Sequence, residues 1–302
     1  MTNNQKCPYR LPGLIKCLLI VGSVTLLAAI YVSRHQPRSI TEMLDVRGIQ
    51  REAKLFQESV THVSQDNKMT CNVAVIPHHL LASSIISRAF NSIDSRGIKQ
   101  VIIISPDHYN QKLSMNSHGF TTMSTWKTPF GDLLSVQKPE LIDGQGLFAT
   151  HDKVFHVEHG IFNIIPYVKY FFPHARVLPI ILSSRSSRED IEHVVAVVKL
   201  ELKNEVETLV ILSTDFVHNA LLEDVVAKDE KNKQLLSSLN EQNFSQIEND
   251  CKQCWMFALT WLDSQHSFKI FENKNSHDFG GPEKNITSYI SGCFVEETNE
   301  KY

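Results

Sequence analysis

Four short apolar runs constrain this chain more than any other feature. They are NVAVIP (72–77), QVIIIS (100–105), RVLPIIL (176–182) and TLVILS (208–213). Val, Ile and Leu dominate each run, without polar alternation. Each therefore predicts a strand buried on both faces rather than one with a wet side. Between them, LLASSIISRAFNSI, IFNIIPYVKYFF and REDIEHVVAVVKLEL place apolar residues at helical spacing. Strands that alternate with helices predict a single three-layer α/β/α domain around a largely parallel, mixed sheet. Later strands are expected at 267–273 and 288–296, and the domain at 71–298. A chain of 302 residues is long enough for one such core.

The N-terminal part carries a different signal. From Cys17 to Ser33 the chain is uncharged and mostly apolar, with Lys6, Arg10 and Lys16 before it and Arg34 and Arg38 after it. A run of about 17 residues is at the short limit for a membrane-spanning helix. The expectation is a basic tail at 1–16, a transmembrane signal anchor at 17–33 and a linker with helical stretches at 34–70. The excess of Lys and Arg before the run places the N-terminus in the cytoplasm. The protein is then single-pass and membrane-bound, with the domain on the extracytoplasmic side. A net charge of −3 leaves no basic footprint for nucleic acid. Cys71, Cys251, Cys254 and Cys293 are an even four and suffice for two disulfides outside the cytoplasm. Cys251-Lys252-Gln253-Cys254 also reads as a redox pair, with core thiols as the plainer alternative.

The chemistry collects where the apolar runs end. NVAVIP empties into His78-His79, QVIIIS into Pro106-Asp107-His108, and TLVILS into Thr214-Asp215 with His218 three residues on. In open α/β sheets ligands bind beyond the carboxyl ends of the strands. A further cluster, HDKVFHVEHG, supplies His151, Asp152, His156, Glu158 and His159. Imidazole and carboxylate are ligands for iron, zinc, manganese or nickel, and also serve as acids and bases near neutral pH. Plainer roles compete: a histidine after a strand often bonds only to backbone, and Asp215 is well placed to cap a following helix.

Several stretches, taken in order, resemble the landmarks of the Memo family, which includes the bacterial AmmeMemoRadiSam system protein B proteins. They are VIPHHLLASSIISRAFNSI, KQVIIISPDHYN, TPFGDL, HVEHGIFNIIPYVKYFFPHARVLPIIL, LVILSTDFVHN, DCKQCWMFALTWL and NSHDFGG with SYISGCF. The resemblance covers roughly residues 71–297. The family is similar in fold to the LigB-type non-haem iron extradiol dioxygenases, which open catechol rings. The resemblance implies His78, His108 and Cys251 as metal ligands, Cys251 standing where the dioxygenases have a carboxylate. It implies catalytic roles for His218, Asp215 and His159, and supporting roles for His79, Asp107 and Glu158. Two histidines and a thiolate suit Fe(II) foremost, with Cu or Zn as alternatives. This chain departs from the family pattern at Asp107, Tyr109, His79 and Lys252, and Cys254 is an added thiol. Three functions follow as expectations. The first is a metal-dependent, dioxygenase-like oxidoreductase acting on a small molecule. The second is a metal-binding or protein-interaction module without turnover, and the third a thiol redox protein using Cys251 and Cys254. A protein partner or a second copy of the chain is compatible with each.

Overall fold

The computed structural model describes residues 58–60, 68–109, 117–138, 141, 147–238, 240, 242–262 and 266–296. The expected basic tail and anchor, and most of the linker, lie outside these residues. The expected membrane placement is corrected: among the described residues no helix is long and apolar enough to cross a membrane. The longest of them, Leu222–Ser237, has 16 residues and is rich in Asp, Glu and Lys, unlike the roughly 20 apolar residues a span needs.

The apolar runs are strands. β1 is Val73–Ile76, β2 Gln100–Pro106, β7 Arg176–Leu182 and β8 Thr208–Ser213. Four shorter strands lie between β2 and β7: β3 (Gly119–Thr121), β4 (Trp126–Thr128), β5 (Gly131–Leu133) and β6 (Ala149–Thr150). β9 (His266–Asn275) and β10 (Ser288–Glu296) end the sheet. The eight-stranded sheet has the order β6-β3-β7-β2-β8-β1-β10-β9, while β4 and β5 form a separate ribbon. Its centre, β7-β2-β8-β1, is parallel. β3 pairs antiparallel with β7, and β10 antiparallel with both β1 and β9. β2, β8 and β1 are neighbours, so the three strands that end in His or Asp sit side by side.

The helices are α1 (Ser83–Ser92), α2 (His159–Phe162), α3 (Ile165–Phe171), α4 (Arg188–Leu202), α5 (Leu222–Ser237) and α6 (Lys252–Trp261). Local chemistry sets their ends. At α4, the Ser187 side chain accepts the Asp190 N–H and Asp190 accepts the Ser187 N–H, a reciprocal cap.

Alternate residues of each strand enter opposite layers, as a period of two requires. Val73, Val75, Ile102, Ile104, Val210 and Leu212 pack with α4 and α6. Ala74, Ile76, Val101, Ile103, Leu209 and Ile211 pack with α1 and α3 on the other side. Full burial of one such Val or Ile is worth about 1.5–3 kcal/mol. All four domain cysteines are paired, Cys71 with Cys293 and Cys251 with Cys254. The first bridge ties the start of β1 to its antiparallel neighbour β10.

Candidate metal centre

At the carboxyl edge of β1, β8 and β2, a cluster of histidines and carboxylates converges. His78 follows β1 and is only 1% exposed. Its backbone N–H donates to Asp215 Oδ1 at 3.1 Å, and its carbonyl accepts from Asn163. His108 follows β2 and His159 opens α2. The rings of His78, His108 and His159 stand 4.3–5.1 Å apart, centroid to centroid. One nitrogen from each lies within 4.8 Å of the others, and His78, Asp215 and Asp250 form a second such group.

Asp250 is the hub. Its Oδ2 lies 3.4 Å from His78 Nε2, 3.7 Å from His108 Nε2 and 3.7 Å from His218 Nε2. Its Oδ1 accepts the Thr214 hydroxyl at 2.6 Å, and its backbone N–H donates to the Asp215 carbonyl. Donor atoms bound to one cation at about 2.1 Å with tetrahedral angles stand about 3.4 Å apart. Asp250 Oδ2 therefore stands from His78 Nε2 and His108 Nε2 at about the separation that two donors of one ion have.

The far side of each ring is spoken for. The Ser213 hydroxyl donates to the Gly160 carbonyl, so its oxygen is left to accept His78 Nδ1–H at 3.2 Å. His108 Nδ1 donates to Glu158 Oε1 at 2.6 Å. Glu158 is fully buried and also accepts the backbone N–H groups of His108 and Gly160. Both rings thus turn Nε2 toward Asp250, the arrangement in which a partner fixes the tautomer of a metal-binding histidine. Gly160 makes this possible. A Cβ there would lie 2.1 Å from Ser105 Oγ, so α2 approaches β2 only because residue 160 has no side chain.

The charges are unevenly held. Burial disfavours the His108 cation, but Asp250 and Glu158 outweigh it and raise its pKa to about 10. Asp250 likewise raises His218, against the effect of burial. Burial, with the charges of His78 and His108 beside it, lowers His159 to about 3. Burial would push Asp250 up, yet the His108 and His218 contacts hold it well below the usual carboxylate range. Burial pushes Asp215 up, only partly offset by His78. Two neighbouring carboxylates therefore differ: Asp250 holds its charge and Asp215 resists it.

Of the residues expected from sequence, His78, His108, His159, His218, Asp215 and Glu158 meet here. Asp215 does not cap a helix: α5 begins at Leu222 with no side-chain cap. His79 turns away and bonds Tyr289 Oη through Nδ1 at 2.6 Å. Asp107 is buried and accepts the Tyr109 N–H. His151 and His156 stay apart from the cluster, and Asp152 instead ties down Thr122 and Ser124. Cys251 is not brought in as a ligand. Its sulfur is bonded to Cys254 and accepts the Cys254 N–H as the cap of α6. The neighbouring residue, Asp250, takes the place among the histidines. Asp250 follows no strand, and although it opens the stretch DCKQCWMFALTWL, no ligand role is implied for it there. Its one sequence signal is its adjacency to a position where a carboxylate ligand is the dioxygenase pattern.

The model of the family described as Memo-like protein matches residues 48–293. A MEMO1 family protein of Caldivirga maquilingensis is 23% identical over 258 residues, covering 81% of this chain and 90% of its own. One from Methanobrevibacter smithii is 24% identical over 248 residues, with 76% and 85% covered. One from Aquifex aeolicus is 26% identical over 238 residues, with 73% and 59% covered. Among solved structures, an uncharacterized protein of Escherichia coli K12 is similar at a TM-score of 0.44 and 12% identity. The match covers 73% of this chain and 98% of that one.

Proposed function

The chain belongs to the Memo-like protein family, and from that premise we propose that it binds one divalent cation through His78, His108 and Asp250. The observation that carries this reading is the Asp250 carboxylate, set 3.4 and 3.7 Å from the Nε2 atoms of two histidines whose Nδ1 atoms are engaged elsewhere. The set of three histidines is the weaker one. Three imidazoles alone leave a buried dication without a countercharge. His78 has one free nitrogen, so it serves one ion and not two. Two imidazoles and a carboxylate suit Fe(II) best, with Mn(II) or Zn(II) as alternatives.

When bound, such a cation polarises an oxygen donor or takes part in redox chemistry. The chain supplies the rest. His218 is 40% exposed, so it faces the approach side, and it holds its proton through Asp250. It is therefore the group that would give or receive a proton from a small substrate. His159 stays neutral and meets the Tyr109 hydroxyl at 3.0 Å, where it orients rather than charges the site. An oxidoreductase related to the extradiol dioxygenases is the activity this layout favours, and a binding module without turnover is the alternative. To decide, full-length protein is purified anaerobically, its metal content measured, and oxygen uptake followed with a panel of catechols. The reading expects about one ion per chain, lost in the His78→Ala, His108→Ala double variant. Equal metal in both proteins refutes the centre. Stoichiometric metal without oxygen uptake leaves the binding module.

A further inference from the structure

The two disulfides differ in kind. Cys71–Cys293 joins positions 222 apart, whereas Cys251–Cys254 joins positions three apart. Closing so short a loop restrains the unfolded chain little, so stapling the fold is a poor account of the second bridge. Its location offers a better one. It lies in the first turn of α6, directly after Asp250. There the Cys251 N–H donates to Asn249 Oδ1 at 2.7 Å and the Asp250 N–H to the Asp215 carbonyl. The bridge and the hub carboxylate share one tight turn.

We propose that the Cys251–Cys254 bridge is a redox latch on the metal centre. Closed, it withholds sulfur and leaves Asp250 as the anionic ligand. Opened by a small dithiol reductant, it offers Cys251 as a competing, softer ligand. This rests on the reading of the centre given above. In the opening step a thiolate of the reductant attacks one bridge sulfur and the S–S bond breaks, forming a mixed disulfide. The second thiol of the reductant then displaces the protein sulfur. Two electrons and two protons pass to Cys251 and Cys254, and the reductant leaves as its disulfide. The Cys251 thiol loses its proton on coordination. Cys251 is 1% exposed and Cys254 0%, with only Lys252 exposed beside them. That burial favours a small dithiol over a folded thiol protein, and so weighs against a general thiol oxidoreductase. Thiolate selects Co(II), Zn(II) or Cu(I) over Mn(II), so the latch changes which ion the centre prefers.

The test uses full-length protein with Cys71–Cys293 intact, in four forms: oxidised wild type, Cys254→Ser, Cys254→Ala and Cys251→Ser. Each is titrated anaerobically with Co(II), with Mn(II) as competitor. Wild type and Cys251→Ser should bind Co(II) without a thiolate-to-cobalt charge-transfer band. Cys254→Ser should show that band and shift the preference toward Co(II) by about tenfold or more, the scale on which ligand-supporting changes act. Cys254→Ala repeats the titration with an apolar side chain in the same buried position. If neither Cys254 variant shows the band, or their preference matches wild type, the latch is wrong while the centre stands. If no form binds either ion, the reading of the centre fails instead.

Discussion

Asp250 gathers the charge of this site, and each histidine around it is aimed by a group behind it. That division of labour makes Glu158 a positioning residue. In Glu158→Gln the His108 ring loses its anionic anchor, and metal affinity should fall about 10–100-fold with the fold unchanged. Metal titration with circular dichroism checks both halves, and unchanged affinity contradicts the assignment. Protons give a second test. The folded pKa of His108, about 10, exceeds the ordinary value of 6.5. In protein stripped of metal, the ion pairs of protonated His108 contribute fully to stability below pH 6.5 and are lost as pH rises through about 10. Between those values metal must displace the His108 proton, so affinity should rise with pH, by about tenfold per unit for each proton released. Calorimetry at pH 7.5 in buffers of different ionisation heat measures the release, and zero protons refutes the ligand role of His108. His78, His108 and His218 were legible in sequence because each follows an apolar run. Asp250 was not, because its position depends on a loop that folds back onto the end of β8.

Among the elements, the central strands β1, β2, β7 and β8 were legible because burial on both faces leaves an unbroken apolar signature. The short strands β3 to β6 were not, since two or three residues carry no period. The helix α5 leaves little trace in the sequence: of its 16 residues only Val225, Asp229, Asn232 and Leu236 are buried, so its apolar stripe is thin. The junction of α2 with β2 is the element contact on which the site depends most. Gly160→Ala places a methyl group against Ser105 Oγ and should cost about 1–3 kcal/mol, the range for overpacking a buried contact. Removing the hydroxyl in Gly160→Ala, Ser105→Ala should restore at least half of that loss, because the next Ser105 atom in the way is Cβ at 3.1 Å. Denaturant unfolding of the wild type, both single variants and the double variant measures the coupling. Strict additivity would contradict the packing described.

For the whole molecule, the sheet with a helical layer on each face was readable from periodicity, and the membrane expectation had to be given up. The pairing of four cysteines was not readable, because spacing does not fix which strands become neighbours. Cys71 and Cys293 close a loop 222 positions long. Replacing both with Ser should lower unfolding free energy by about 3–5 kcal/mol. A loss below about 1 kcal/mol in denaturant unfolding would show that this bridge does not restrain the chain. In the proposed centre the anionic ligand is Asp250 and not the neighbouring Cys251, whose sulfur is bonded to Cys254. The most direct measurement is anaerobic Fe(II) or Mn(II) titration of oxidised wild type beside Asp250→Asn and Cys251→Ser. About one ion per chain is expected in wild type and Cys251→Ser, with a loss of affinity of 100-fold or more in Asp250→Asn, about 3 kcal/mol. Wild-type affinity in Asp250→Asn, or abolished binding in Cys251→Ser, would contradict that assignment.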